Sequence, residues 1–265
     1  MRLGGSAFSP LKRVLVVVAA DGEYRALLRG RPTLQEVTSD EQKRLGLAVA
    51  GDAELEVVRA GVGKVNAALA TALVADVTRH GVVVSLGIGG ALPGVMAGQT
   101  GAGGICKTGV VIGDIVVADR CVYGDEGARC PAAPLGDGFV DMADLGFPLG
   151  AWGRGGPTVA PEICGTLEAL LMEVAEREDR RVVVGAIVTV STCSATNAGA
   201  EELSKRTEGI AEAMEGAAVA HVASRVGIRF AEVRVISNTT GDRAEQQWDI
   251  PRAFGGLELV AGVLG

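Results

Sequence analysis

The run Ala213-Met214-Glu215-Gly216-Ala217-Ala218 sets a thioether and a carboxylate side by side among small residues. Met offers a polarisable apolar surface and Glu accepts hydrogen bonds. The pair therefore suits a ribose, whose ring has an apolar face and whose hydroxyls donate. Residues 230–236 read as an apolar strand that would deliver Ser237 and Asn238 to the same place. The run is equally readable as a helix packed closely through its small residues, and taken alone it leaves both readings open.

Two other segments carry groups of the same kind. Glu23 follows the apolar run 13–19 by a few residues. A carboxylate there is placed to take a proton from water, but the first turn of a helix is also where a solvated Glu favours the helix dipole. Gly87-Ile88-Gly89-Gly90 comes straight after the apolar run 82–86 and matches neither the dinucleotide fingerprint nor a phosphate-binding loop. Glycines such as Gly87 and Gly89 let backbone N–H groups approach an anion or a sugar. A tight strand-to-helix turn accounts for them as well.

Composition narrows the chemistry. The chain has 265 residues, a net charge of −7 and no Lys/Arg block, which argues against a nucleic-acid partner. No apolar run reaches the roughly 18 residues that span a bilayer, and residues 1–10 lack the apolar core of a signal peptide. A cytoplasmic protein is expected. Five cysteines (Cys106, Cys121, Cys130, Cys164 and Cys193) are scattered with no C-x-x-C pair, so neither a disulfide framework nor a metal site is indicated. The only histidines are His80, read as a cation at a helix end, and His221, read as packed within a helix. Catalysis here would rest on carboxylates, amides and backbone donors, with no metal and no cofactor.

The elements that must position these groups alternate. Strands are expected over 13–19, 54–59, 82–86, 114–119, 181–190 and 230–236. Helices are expected over 64–79, 162–177 and 208–225, with a helical turn at 201–207 and a long loop over 121–161. The pattern predicts an α/β fold, one domain spanning 1–265 with residues 1–12 as a flexible extension, and a mostly parallel or mixed sheet flanked by helices on both faces. Ligands of such sheets gather at the carboxyl ends of strands. That places residues 19–23, 87–91, 191–197 and 237–243 around one pocket.

Several motifs stand in a fixed order along the chain: Ala19-Ala20-Asp21-Gly22-Glu23, Ala60-Gly61-Val62-Gly63-Lys64-Val65-Asn66-Ala67-Ala68, Gly87-Ile88-Gly89-Gly90, Gly113-Asp114-Ile115-Val116, the Met-Glu run, and Ile236-Ser237-Asn238. On these, over residues 14–254, the chain resembles the nucleoside phosphorylase and nucleosidase superfamily and, within it, the futalosine hydrolases of an alternative menaquinone pathway. The resemblance implies hydrolysis of the N-glycosidic bond of futalosine, release of hypoxanthine, and a homo-oligomer of two or more copies. It implies catalytic roles for Glu23, Glu215 and Asn238, with substrate contacts from Gly87, Gly89, Thr196, Met214, Arg234 and Trp248. Related adenosine-type nucleosidases have Asp where Asn238 stands. An amide offers two donors to the two acceptors, N7 and O6, of a 6-oxopurine, so Asn238 favours that base. The related enzymes stack the base on a Phe in the segment matched by 194–197. None is present here, and Trp248 or Tyr123 is the substitute. An adenosine-type nucleosidase, a phosphorylase using Lys64 and Arg59 to hold phosphate, and a non-catalytic nucleoside-binding protein are the alternatives.

Overall fold

The computed structural model describes residues 12–94, 109–130, 138–150, 152 and 156–264. The expected N-terminal extension, apart from Lys12, lies outside them. In chain order the elements are β1 (Arg13–Val18), α1 (Asp21–Gly30), β2 (Gln35–Glu36), α2 (Asp40–Arg44), β3 (Ala48–Gly51), β4 (Leu55–Arg59), α3 (Lys64–Val74), β5 (His80–Ala91), β6 (Ile115–Tyr123), β7 (Gly127–Arg129), β8 (Phe139–Asp141), α4 (Pro161–Ala175), β9 (Val182–Thr189), α5 (Asn197–Thr207), β10 (Gly209–Ala213), α6 (Gly216–Arg225), β11 (Arg229–Thr239) and α7 (Ile250–Val263).

The apolar run of β1 shows why the sheet is covered on both faces. Val14, Val16 and Val18 belong to the core on one face with Ala26 and Leu27 of α1, Leu171 of α4 and Leu257 of α7, whereas Leu15 and Val17 belong to the core on the other with Ala67 and Ala70 of α3 and Val219 of α6. A strand buried on both sides cannot alternate with polar residues. Nine strands form one mixed sheet in the order β10-β9-β6-β11-β5-β1-β4-β3-β2. The end of β10 also pairs antiparallel with the end of β5, Ala211 opposite Ala91 and Glu212 opposite Gly90. Strands β10, β9, β6, β11 and β5 therefore close into a ring, which removes a free edge and gathers their ends around one cavity. The α/β fold with a mixed sheet flanked by helices is the one the pattern predicted.

Several local expectations are corrected. The helix expected over 208–225 is β10 followed by α6. Residues 209–213 are a short apolar run of ambiguous period, and pairing with β9 and β5 makes them a strand. Met214 and Glu215 are the joint between the two, with Glu215 at the N-cap of α6. Gly87–Gly90 is not a turn after a strand but part of β5, which runs on to Ala91. Helix α3 stops at Val74, where Asp76 accepts from the N–H and hydroxyl of Thr78 and breaks the helical pattern. His80 is buried at the start of β5, 3.5 Å from Glu56, rather than at a helix end. The expected loop 121–161 holds the end of β6 and the β7–β8 hairpin.

Candidate active site

A cavity of about 220 Å³ opens at the carboxyl ends of β1, β5, β10 and β11. All four segments expected there contribute to its wall: Ala19, Ala20 and Glu23; Ile88, Gly89 and Gly90; Cys193 and Ser194; Ser237, Asn238 and Arg243. Met214 and Glu215 complete it from the β10–α6 joint, as does Val62 from the loop before α3.

Its deepest part is built on one arginine. Glu232 and Arg234 lie two residues apart on β11 and so point to the same face. Arg234 is only 1% exposed. Its Nε donates to Glu232 Oε1 at 2.9 Å, its Nη2 donates to Ser85 Oγ at 2.9 Å, and its Nη1 lies 3.4 Å from Glu215 Oε2. Burial works against the guanidinium charge, but the carboxylates of Glu232, Glu215 and Glu23 outweigh it and raise its pKa. The substrate contact expected of Arg234 is corrected: it stands behind the cavity, held by carboxylates, rather than in its wall.

Glu23 combines both readings of its position. It sits in the first turn of α1, yet it is buried. Oε2 accepts from the backbone N–H of Ala19 (3.0 Å) and Ala20 (2.9 Å), and Oε1 accepts from Ile88 N–H at 2.9 Å. Burial raises its pKa. Arg234 and these N–H groups pull it back down, Glu215 pushes it up again, and the net shift is upward. A carboxylate so held stays oriented towards the cavity and has enough basicity to accept a proton. Glu215, the N-cap of α6, is fixed from the opposite side, where Oε1 accepts from Gly63 N–H at 2.9 Å. Gly216 beside it has no room for a side chain, since a Cβ would fall on the Glu232 carboxyl. The small residues of this run are thus needed for packing, while Met214 and Glu215 face the cavity.

Gly87 lies opposite Arg234 in the β5–β11 register and does not line the cavity. A Cβ there would meet the Arg234 guanidinium and lie 2.6 Å from Glu23 Oε1. Gly87 therefore makes space for two charged groups rather than touching a ligand. Gly87→Ala is expected to displace Glu23 and to lower turnover by at least about tenfold while leaving the secondary structure intact, read by steady-state kinetics beside circular dichroism.

Asn238 owes its position to a bulge. The β11–β5 register slips between Ile236 and Asn238, which turns Asn238 towards the cavity. Its Nδ2 donates to Thr239 O at 2.9 Å, and Ser237 Oγ lies 2.8 Å from Oδ1. A carbonyl only accepts, so the amide nitrogen must face Thr239 and the oxygen must face the serine hydroxyl. One N–H is thereby used within the protein. The expectation that both N–H groups serve the base is corrected to one free N–H. Trp248 forms a bridge to Asn238, lines the cavity and is 48% exposed, with the Arg243 guanidinium 5.2 Å from its ring centroid.

Other expected contacts fall elsewhere. Thr196 is outside the wall and caps α5, its Oγ1 accepting from Gly199 N–H at 3.1 Å. Tyr123 is also outside, its hydroxyl 3.2 Å from His221 Nδ1. Asp242 accepts from the backbone N–H and side-chain amide of Asn197 (2.9 and 3.0 Å), and Arg243 Nη1 donates to Gln246. Lys64 pairs with Asp125 and Glu126, and Arg59 with Asp21, and neither lines the cavity. The sequence reading missed Glu212 and Gln246 in the wall. The signal was faint: one acid in a short apolar run, whose facing depends on which strand it pairs with. Among the described residues no cluster of His, Cys, Asp and Glu could hold a metal ion, and no helix is long and apolar enough to cross a membrane.

Two buried carboxylates, Glu23 and Glu215, and the Asn238 amide thus face one cavity at the carboxyl end of the sheet. The Phosphorylase superfamily matches residues 13–256, and the chain belongs to it. Among its relatives, a futalosine hydrolase of Acidothermus cellulolyticus is 41% identical over 165 residues, covering 62% of this chain and 61% of that protein. A futalosine hydrolase of Streptomyces coelicolor is 33% identical over 215 residues, covering 79% of this chain and 77% of that one. The fold is also that of the 5′-methylthioadenosine/S-adenosylhomocysteine nucleosidase of Neisseria meningitidis, solved in complex with methylthio-immucillin-A. The TM-score is 0.69 at 21% identity, over 96% of this chain and 99% of that one.

Proposed function

We propose that this N-glycosyl hydrolase cleaves futalosine, giving hypoxanthine and the dehypoxanthinyl sugar, the step such an enzyme supplies to menaquinone biosynthesis. The observation that carries the reading is the Asn238 amide, held with a free N–H towards the cavity that Glu23 and Glu215 also face. Glu23 takes a proton from water as the oxygen attacks C1′ of the ribose. The C1′–N9 bond breaks and its electron pair leaves with the purine. The sugar passes through an oxocarbenium-like state, where Glu215 on the ribose hydroxyls and Met214 against the ring count most. Asn238 donates to the N7/O6 edge of the departing base, Trp248 offers it an aromatic face, and the base takes its proton from solvent. Water is favoured over phosphate because Arg234 is already shared among carboxylates and Lys64 and Arg59 are paired away from the cavity.

Chromatographic base release from futalosine, inosine, methylthioadenosine and adenosylhomocysteine, with and without phosphate, tests this. Hypoxanthine from futalosine independent of phosphate is the expected result. Adenine release from methylthioadenosine in preference would overturn the choice of base, phosphate dependence the choice of nucleophile, and no release from any of them the catalytic reading.

The working form is proposed to be a homo-oligomer. Val65, Leu69, Leu73 and Val77 repeat every four residues along and just beyond α3, all exposed, Val65 by 81%. Val62, a cavity residue, begins the same stripe. A second copy covering it would also close the cavity mouth. Val65→Asp is expected to shift the protein to monomers in size-exclusion chromatography with light scattering and to lower activity in parallel. A monomeric wild type would remove this proposal.

A further inference from the structure

We propose that Glu212 reads the base as well, its carboxylate accepting the N1–H of a 6-oxopurine while Asn238 holds the N7/O6 edge. The proposal rests on the 6-oxopurine reading above and adds a specificity residue to it.

Glu212 stands near the end of β10, 5% exposed, and lines the cavity apart from the Arg234 group. Its oxygens accept from the Ser194 N–H at 3.1 and 3.2 Å and from the Ser194 hydroxyl at 2.7 Å. Both oxygens thus receive donors that pull the pKa down, but burial outweighs them and the net shift is upward; the Ser194 N–H can only donate and so always faces an accepting oxygen. Burying a carboxylate beside neutral donors alone is costly. Such a group is accounted for when a ligand supplies the missing donor.

The strand register puts it beside the base-reading amide. Gly90 is paired on one side with Asn238 of β11 and on the other with Glu212 of β10. A Cβ on Gly90 would lie 2.9 Å from the Thr240 methyl, 3.1 Å from Asn238 Nδ2 and 3.4 Å from Glu212 Cγ, so the amide and the carboxylate flank the same glycine beside that methyl. A flat heterocycle bound over Gly90 meets the amide at one edge position and the carboxylate at the next.

The edge of a 6-oxopurine matches that order. N7 and O6 accept, and the adjacent N1–H donates. Asn238 keeps one free N–H for the acceptors, so the next partner must be an acceptor. Gln246 donates to Ser194 O and Gly241 O at 3.1 and 3.0 Å, and its own oxygen takes Arg243. Arg243 has donors only. Glu212 is left as the acceptor on that wall. Adenine reverses the pattern: its N1 lone pair would face the carboxylate, a repulsive and unsatisfied contact.

Calorimetric binding of the free bases isolates this contact from the sugar and from turnover. Wild-type protein is expected to bind hypoxanthine about 10- to 100-fold more tightly than 1-methylhypoxanthine, which lacks the N1 proton, the factor of one charge-assisted hydrogen bond. Glu212→Gln is expected to weaken hypoxanthine by a similar factor and to reduce the discrimination against the methylated base severalfold or more. A role confined to holding the Ser194 loop would lower affinity for both bases alike. Equal wild-type affinities would overturn the Glu212 assignment while the 6-oxopurine reading stands, as would discrimination that survives in Glu212→Gln. No binding of hypoxanthine, with adenine bound instead, would overturn both. The wild-type comparison decides even if the variant does not fold.

Discussion

Glu23→Gln is expected to cut futalosine turnover by about 10²- to 10⁴-fold, the range for losing a positioned general base, with little change in KM. Gln matches Glu in shape but not in what it can accept. Three backbone N–H groups, from Ala19, Ala20 and Ile88, point at the two carboxylate oxygens. An amide must turn its NH2 towards one of those donors, so the variant also loses about 1–3 kcal/mol of stability, read as a lower melting temperature. The pH profile separates catalysis from this structural cost. Burial raises the Glu23 pKa, and only the ionised form can take a proton from water. Wild-type kcat/KM should therefore climb with pH through a carboxyl pKa above the usual Glu value and then level off. In Glu23→Gln that acidic limb should vanish. A variant that loses stability but keeps both the rate and the limb would make Glu23 the cap of α1 and nothing more.

The outline of this site was legible because its segments are short and follow strands. An apolar run as pure as that of β1 must be buried on both faces, so the residues just beyond it, Ala19 to Glu23, can only lie at a sheet end. The same logic brought together the ends of β5 and β11. What escaped was set by pairing rather than by local pattern. Residues 209–213 are too short and too apolar to declare their period, and only closure of the ring by β10 on β5 makes them a strand and turns Glu212 inwards. Gly87 and Gly89 had looked alike as loop residues. In the extended β5, Gly89 and Gly90 line the cavity while Gly87 clears space for Arg234 and Glu23 behind it. Thr196 was drawn in by proximity to the expected pocket, whereas its hydroxyl is committed to the first turn of α5. Capping and ligand binding call for the same residue type, and spacing alone does not separate them.

Asn238→Asp is the second large effect, and the surroundings of the amide make it asymmetric. Thr239 O sits 2.9 Å from Nδ2. An ionised Asp would place an oxygen against that carbonyl, so the carboxyl must hold a proton and donate it there, which leaves nothing to donate to N7 or O6. Hypoxanthine release is expected to fall by about 10²- to 10⁴-fold, as when a site built to hydrogen-bond loses its partner. The resemblance sets an Asp of adenosine-type nucleosidases at this position, which invites the idea that one substitution converts the enzyme. The proposed Glu212 contact argues otherwise: with its carboxylate still facing N1, adenine meets an acceptor opposite an acceptor. Asn238→Asp alone should therefore lose futalosine without gaining methylthioadenosine. Only together with Glu212→Gln, which places an NH2 opposite N1, should adenine release rise measurably above the single variant in the same chromatographic assay. Full conversion by Asn238→Asp alone would mean that the choice between the two bases is made by Asn238 without Glu212.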